Sequence, residues 1–136
     1  MNDQELVYVG IEIVLLTEFP ELTDRMKDTF GSYYDLTSEI PQAYPLFENV
    51  FQEFLMEELL GDESENLLDR IFLFCERMAR SEDAEVVNLV WISILVPLVY
   101  NADQIKRAWS FMGPATRSLA CDVAQRNGWQ SNLPTG

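Results

Sequence analysis

At 136 residues the chain fits one domain, long enough to bury a proper core without disulfide or metal staples. A formal charge of −14 with no histidine disfavours nucleic acid and anionic membranes as partners, and removes the common zinc sites and all imidazole-based acid–base chemistry. The acidity is confined: residues 1–69 hold seventeen acids against Arg25 and Lys27, a net of −15, whereas residues 70–136 sum to +1.

Helical signals dominate the chain and no convincing strand run appears. Residues 4–18 read as an apolar helix with Glu5, Glu12 and Thr17 on a narrow polar edge. The acidic start and the absence of a basic n-region argue against a secretory leader. "FPELTDRMKDTFG" (19–31) predicts a second helix, with Pro20 at its start and Gly31 at its end. "SYYDLTSEIPQAY" (32–44) has no period and reads as a long loop carrying Tyr33, Tyr34 and Tyr44.

From Pro45 the pattern sharpens. Phe47, Val50, Phe51, Phe54 and Leu55 recur at helical spacing up to a stop at Gly61. "DESE" (62–65) has the form of an N-terminal cap, and the following helix sets Leu67, Leu68, Ile71, Phe72, Cys75 and Met78 on one face. Ser81 is the expected cap of the next helix, with Glu82, Asp83 and Glu85 suiting its dipole. Pro97 is expected to kink or end that helix, because it lacks an N–H and crowds the Ser93 carbonyl. Its apolar run, residues 86–100, is too short for a membrane span and suits a buried central helix. Asn101 to Met112 reads as a short helix, Gly113-Pro114 as a break, and 115–127 as the last helix, closed by Gly128.

The expected fold is all-α: about seven helices stacked as antiparallel hairpins, HEAT-like or an irregular bundle. Residues 1–129 form a single helical domain, and 130–136 a flexible C-terminal tail. Cys75 and Cys121 are expected to be buried thiols in a reducing compartment, so a cytoplasmic location is expected.

The acidic stretch offers candidates for chemistry that its own residues argue against. Asp62, Ser64 and Asn66 alternate like calcium ligands, but Leu67 stands where the turn glycine belongs and Leu73 where the bidentate carboxylate belongs. Di-iron bundles require Glu-x-x-His pairs. Glu53 and Glu57 share a helix face, yet no sugar platform accompanies them. The six glycines form no nucleotide-binding pattern, and neither cysteine has a histidine to activate it. No catalytic residue, metal or cofactor is expected, and the protein reads as a non-enzyme.

Recognition remains. Asp28 to Asp69 spans eleven acids and no base, whereas a merely wet helix face mixes both signs. Such a face would steer and hold a basic partner. The candidate partner-binding residues are Glu53, Glu57, Glu58, Asp62, Glu63 and Glu65, with Tyr33, Tyr34 and Asp35 from the loop. Carboxylates would pair with Lys or Arg, and tyrosines would anchor. Phe47, Phe51, Phe54, Phe72 and Phe74 belong to the core.

"FPEL" (19–22), "GDESENLLDRIFLFCERM" (61–78), "SEDAEVVNLVWISIL" (81–95) and "FMGPATRSL" (111–119) resemble, in order across residues 10–129, a small helical bacterial domain of uncharacterised-family status. Members of that family are considered immunity proteins of polymorphic, contact-dependent toxin systems. Where a polar pair is expected after the apolar helix core, this chain has Val96-Pro97. The resemblance implies an immunity protein, monomeric when free, that neutralises a cognate and basic, nuclease-like toxin domain. The alternatives are an acidic DNA mimic that occupies a DNA-binding protein, and a general helical interaction module.

Overall fold

The computed structural model describes residues 6–31, 40–61 and 65–134. It is 79% helical, with seven helices and no strand among the described residues, so the fold is all-α. The helices are α1 (Ile11–Glu18), α2 (Leu22–Thr29) and α3, which runs through Ala43–Leu46, Phe47–Phe51 and Gln52–Leu60. They continue with α4 (Glu65–Ala79), α5 (Ala84–Tyr100), α6 (Ala102–Phe111) and α7 (Pro114–Asn127).

α1 begins later than the apolar pattern predicts. Gly10 takes a left-handed conformation at φ 82°, which costs glycine little, and the chain before it turns at Tyr8–Gly10 and is held by other elements. The Ser81 hydroxyl donates to the Leu6 carbonyl at 2.6 Å, and the Tyr8 N–H donates to Asp83 at 2.8 Å. Asp83, rather than Ser81, is the N-cap of α5: its carboxylate accepts the Glu85 N–H at 3.0 Å. The Ser81 hydroxyl instead accepts the Asp83 N–H.

Phe19, Phe47, Phe51 and Phe74 form the aromatic centre of the first half, with ring centroids 5.5–6.0 Å apart. Edge-on and tilted contacts at this spacing add to the gain from area burial. The five phenylalanines assigned to the core are all buried. On α4 the predicted face is also the observed one: Leu68, Ile71, Phe72, Cys75 and Met78 are buried, and Leu67 packs against their edge.

α3 and α5 each contain a π-helical turn, Phe47–Phe51 and Trp91–Leu95, and the two turns pack against each other. The turn in α5 explains why Pro97 does not end the helix. The Val96 N–H bonds back five residues to the Trp91 carbonyl, and this wider turn takes up the disruption that the missing proline N–H would cause. The helix then runs on to Tyr100. Ser93, within that turn, is 1% exposed, and its hydroxyl has no hydrogen-bond partner among the described residues.

The stacking of hairpins resolves into an irregular bundle. α6 packs back on α3, and α7 packs on both α4 and α5, closing one core rather than extending a solenoid. α5 and α6 meet at 114°, well short of antiparallel. Among the described residues no single helix is long and apolar enough to cross a membrane.

Three further expectations are corrected. Residues 130–134 are not a loose tail: Leu133 packs on the core, and the Asn132 amide donates to the Val99 carbonyl at 2.9 Å. Cys75 is buried, and burial pushes its thiol up to about 12, but Cys121 is exposed. Tyr44 lies in the first turn of α3 rather than in a loop; its ring is 6.3 Å from Tyr8, and its hydroxyl accepts a hydrogen bond from Asn88.

Candidate partner-binding surface

Of the nine residues assigned to the partner surface, Glu53, Glu57 and Glu58 are placed with their side chains. Tyr33, Tyr34, Asp35, Asp62 and Glu63 lie outside the described residues. Glu65 is described only as the first residue of α4.

The three placed carboxylates share α3 because the buried face of that helix uses Phe54, Leu55 and Leu59. Glu53 and Glu57, four residues apart, project together from the exposed side, with Glu58 adjoining. A bare row of this kind is self-repelling. The repulsion is relieved by Arg25 from α2, whose guanidinium pairs with Glu57 through both of its terminal nitrogens. The same guanidinium lies 5.2 Å from the Phe54 ring centroid. Its hydrogen bond to Glu57 and the fields of Glu57, Glu53 and Glu58 hold the arginine above its ordinary range, while Arg25 holds Glu57 below the usual carboxylate range. Three carboxylates therefore gather round one cation, leaving a local excess of two negative charges.

Other acids of the first half are neutralised from the second. Arg70 pairs with Glu21 at 3.1 Å and donates to the Glu18 carbonyl, and Arg77 pairs with Glu18 at 3.0 Å. Partial burial of Glu21 pushes its carboxyl up, and the Arg70 hydrogen bond and charge more than offset this, so it sits below the usual range. No ion pair involves Asp24, Asp28, Glu48, Glu53, Glu58 or Asp69 among the described residues.

One polar centre carries no motif in the sequence. Glu76, on α4, is only 8% exposed. Its carboxylate accepts the Thr116 hydroxyl at 2.7 Å and the backbone N–H groups of Thr116 and Ala115 at 2.9 and 3.0 Å. These are first-turn donors of α7, so Glu76 caps that helix from a different element, where an anion also suits the dipole. Burial raises the carboxyl, but the three hydrogen bonds, with Arg80 nearby, outweigh it, and the group sits below its ordinary value. The signal was legible in principle: an acid at i+4 from Phe72 and adjacent to Cys75, on the apolar stripe of a helix. The arrangement is structural, with every carboxylate contact going to α7.

No cluster of three or more metal-ligating side chains occurs among the described residues. The geometry is that of a small all-α domain with an acid-rich α2–α3 face and a buried polar clamp. The chain belongs to the family described as a domain of unknown function (DUF7674), whose model matches residues 13–128. No curated protein and no solved structure matches the chain.

Proposed function

We propose that this protein is an immunity-type inhibitor that neutralises a basic toxin domain by docking its α2–α3 face against it. The observation that carries the reading is the gathering of Glu53, Glu57 and Glu58 round the single guanidinium of Arg25. The resemblance to immunity domains and the net charge of −15 over residues 1–69 support the same direction. In this reading Glu53 and Glu58 steer the approach and pair with partner Lys or Arg, and Glu57 contributes through its shared contact with Arg25. The reading also assigns partner contacts to Asp62, Glu63, Glu65, Tyr33, Tyr34 and Asp35, whose side chains lie outside the described residues. The protein acts by occupying its partner in the cytoplasm, without catalysis.

The test begins with the reading frame next to the gene. Its product is expected to end in a basic domain that is toxic when expressed alone and harmless when co-expressed with this protein. Glu53→Lys/Glu58→Lys should slow association with that domain at least tenfold and abolish protection. A partner domain that binds both forms equally at low salt would overturn the assignment. Competition with bulk DNA for several unrelated DNA-binding proteins would replace the toxin by the DNA-mimic alternative.

A further inference from the structure

α5 and α7 leave between them an open cleft of about 430 Å³, lined by Asn88, Trp91 and Val96 from α5 and by Arg126 and Asn127 from the last turn of α7. Its size is within the range of small-ligand sites. None of Glu53, Glu57 and Glu58 takes part in it. The cleft opens on the most apolar helix of the chain, where Trp91 and Val96 remain half-buried instead of being covered by a neighbour.

Arg126 gives the cleft its chemistry. Its guanidinium carbon lies 5.6 Å from the Trp91 ring centroid, a cation–π contact that holds a planar group without using its hydrogen-bonding edge. Arg25, Arg70 and Arg77 are ion-paired, but Arg126 has no ion pair among the described residues, and Asp122, one turn earlier on α7, does not reach it. The two carboxamides are held in place. Asn88 donates to the Tyr44 hydroxyl at 2.8 Å, and Asn127 donates to the Val123 carbonyl at 2.8 Å.

The number of charges a ligand can bring is limited by its surroundings. The C-terminal end of α7 carries about half a negative charge from its peptide dipoles, and the whole chain carries −14. One guanidinium against that background offsets one negative charge, not two. An indole and a valine beside it favour a flat, apolar body over a compact hydrated ion.

We infer that this cleft is a binding site for a small organic monoanion, a carboxylate carried on a flat apolar body. The carboxylate is taken by the Arg126 fork, and the body lies against Trp91 and Val96.

The test uses benzoate as the probe, followed through the indole N–H resonance of Trp91, which is assigned by its loss in Trp91→Phe. Benzyl alcohol supplies the same ring without the charge, and inorganic phosphate the charge without the ring, all at constant ionic strength. Benzoate is expected to shift the resonance saturably at about millimolar concentration, as suits a ligand of so few atoms. Benzyl alcohol and phosphate should each bind at least tenfold more weakly. Arg126→Gln should abolish the shift, and Arg126→Lys, which keeps the charge and loses the fork, should weaken it about tenfold. Arg126 is exposed at a helix end, so unchanged resonances elsewhere will show that both variants are folded. The absence of a saturable benzoate shift, an equal response to phosphate, or an unaltered response in Arg126→Gln would each overturn the site.

Discussion

Removing the Glu76 carboxylate should be the most damaging single polar change among the described residues. Glu76→Ala leaves three first-turn donors of α7 without an acceptor: the Thr116 hydroxyl and the N–H groups of Thr116 and Ala115. A buried donor left unsatisfied costs about 1–3 kcal/mol. Taking the low end, because a vacated site admits some water, gives about 3 kcal/mol. Glu76→Gln keeps one acceptor oxygen for Thr116 but turns an amide donor toward Ala115 and loses the charge, a cost of about 1.5–2 kcal/mol. For a domain of this size each kcal/mol lowers Tm by about 4 °C. Thermal unfolding at neutral pH should therefore fall by about 12 °C for the alanine variant and about 7 °C for the glutamine variant. The pH dependence has a definite sign. The folded protein holds Glu76 below its ordinary value, so its contribution is fully present above the ordinary carboxylate range and is lost as pH falls through the folded value. The gap between wild type and Glu76→Gln should close in acid. Gly113 supplies an internal check. Its backbone at φ −79° suits any residue, yet an added Cβ would lie 2.5 Å from the Glu76 carboxyl carbon. Gly113→Ala should be costly in the wild type and nearly harmless on the Glu76→Ala background, a coupling of about 1–3 kcal/mol. A glutamine variant as stable as wild type at neutral pH, or additive Gly113 and Glu76 effects, would refute the clamp.

Two other expectations concern groups the fold leaves unsatisfied or unprotected. Ser93→Ala removes a buried hydroxyl that has no partner, so it should leave stability unchanged or raise it by up to about 1 kcal/mol; a clear loss in urea unfolding would mean that the hydroxyl is bonded. Native protein should take up one equivalent of a thiol reagent, at exposed Cys121, and a second only in denaturant, because Cys75 is buried and its thiol is held far above neutral pH. Mass spectrometry that finds Cys75 modified in native buffer would contradict that burial.

What the sequence made legible was local. The 3.6-residue spacing of Phe47, Val50, Phe51, Phe54 and Leu55, the glycine at 61 and the left-handed glycine at 128 each act within one or two turns, and the helices they mark are where they were expected. What escaped notice was set by pairs distant in the chain. Asp83 caps α5 while also holding Tyr8, 75 residues away, so the choice between Ser81 and Asp83 depended on a segment that local rules ignore. Residues after 129 looked like a tail because nothing local requires them to fold; the carbonyls of Val99 and Tyr100 at the end of α5 give Asn132 its partners. Pro97 was read by its effect on a regular helix, and the π-turn preceding it changes the register on which that rule depends. For the partner surface, the acids on α3 were legible as a row. Their shared arginine was not, because Arg25 is 32 residues from Glu57 and only packing of α2 on α3 joins them.

The ion pairs also bear on how the charge asymmetry is to be understood. Each of the three paired arginines also lies over a ring: Arg25 over Phe54, Arg70 over Phe19 at 5.0 Å and Arg77 over Phe74 at 5.8 Å. Phe19 and Phe74 belong to the aromatic centre of the first half, so these guanidiniums roof the core while their carboxylate partners fix them in place. As isolated surface pairs they would contribute little, about 0.2–1 kcal/mol each. Their aliphatic stems and flat heads add the covering of phenylalanine rings, which lysine would do less well. The second half thus lends two of its bases to the α1–α2 corner for packing, and a third, Arg107, donates to the Gly61 carbonyl at 2.7 Å at the C-terminal end of α3. Glu53 and Glu58 lie beside Arg25, which Glu57 already engages. Taking Arg25 from Glu57 to pair with these two carboxylates would uncover Phe54, whereas a cation from another molecule would leave that cover in place. In the function proposed above the second route is the one used, because it leaves the fold intact.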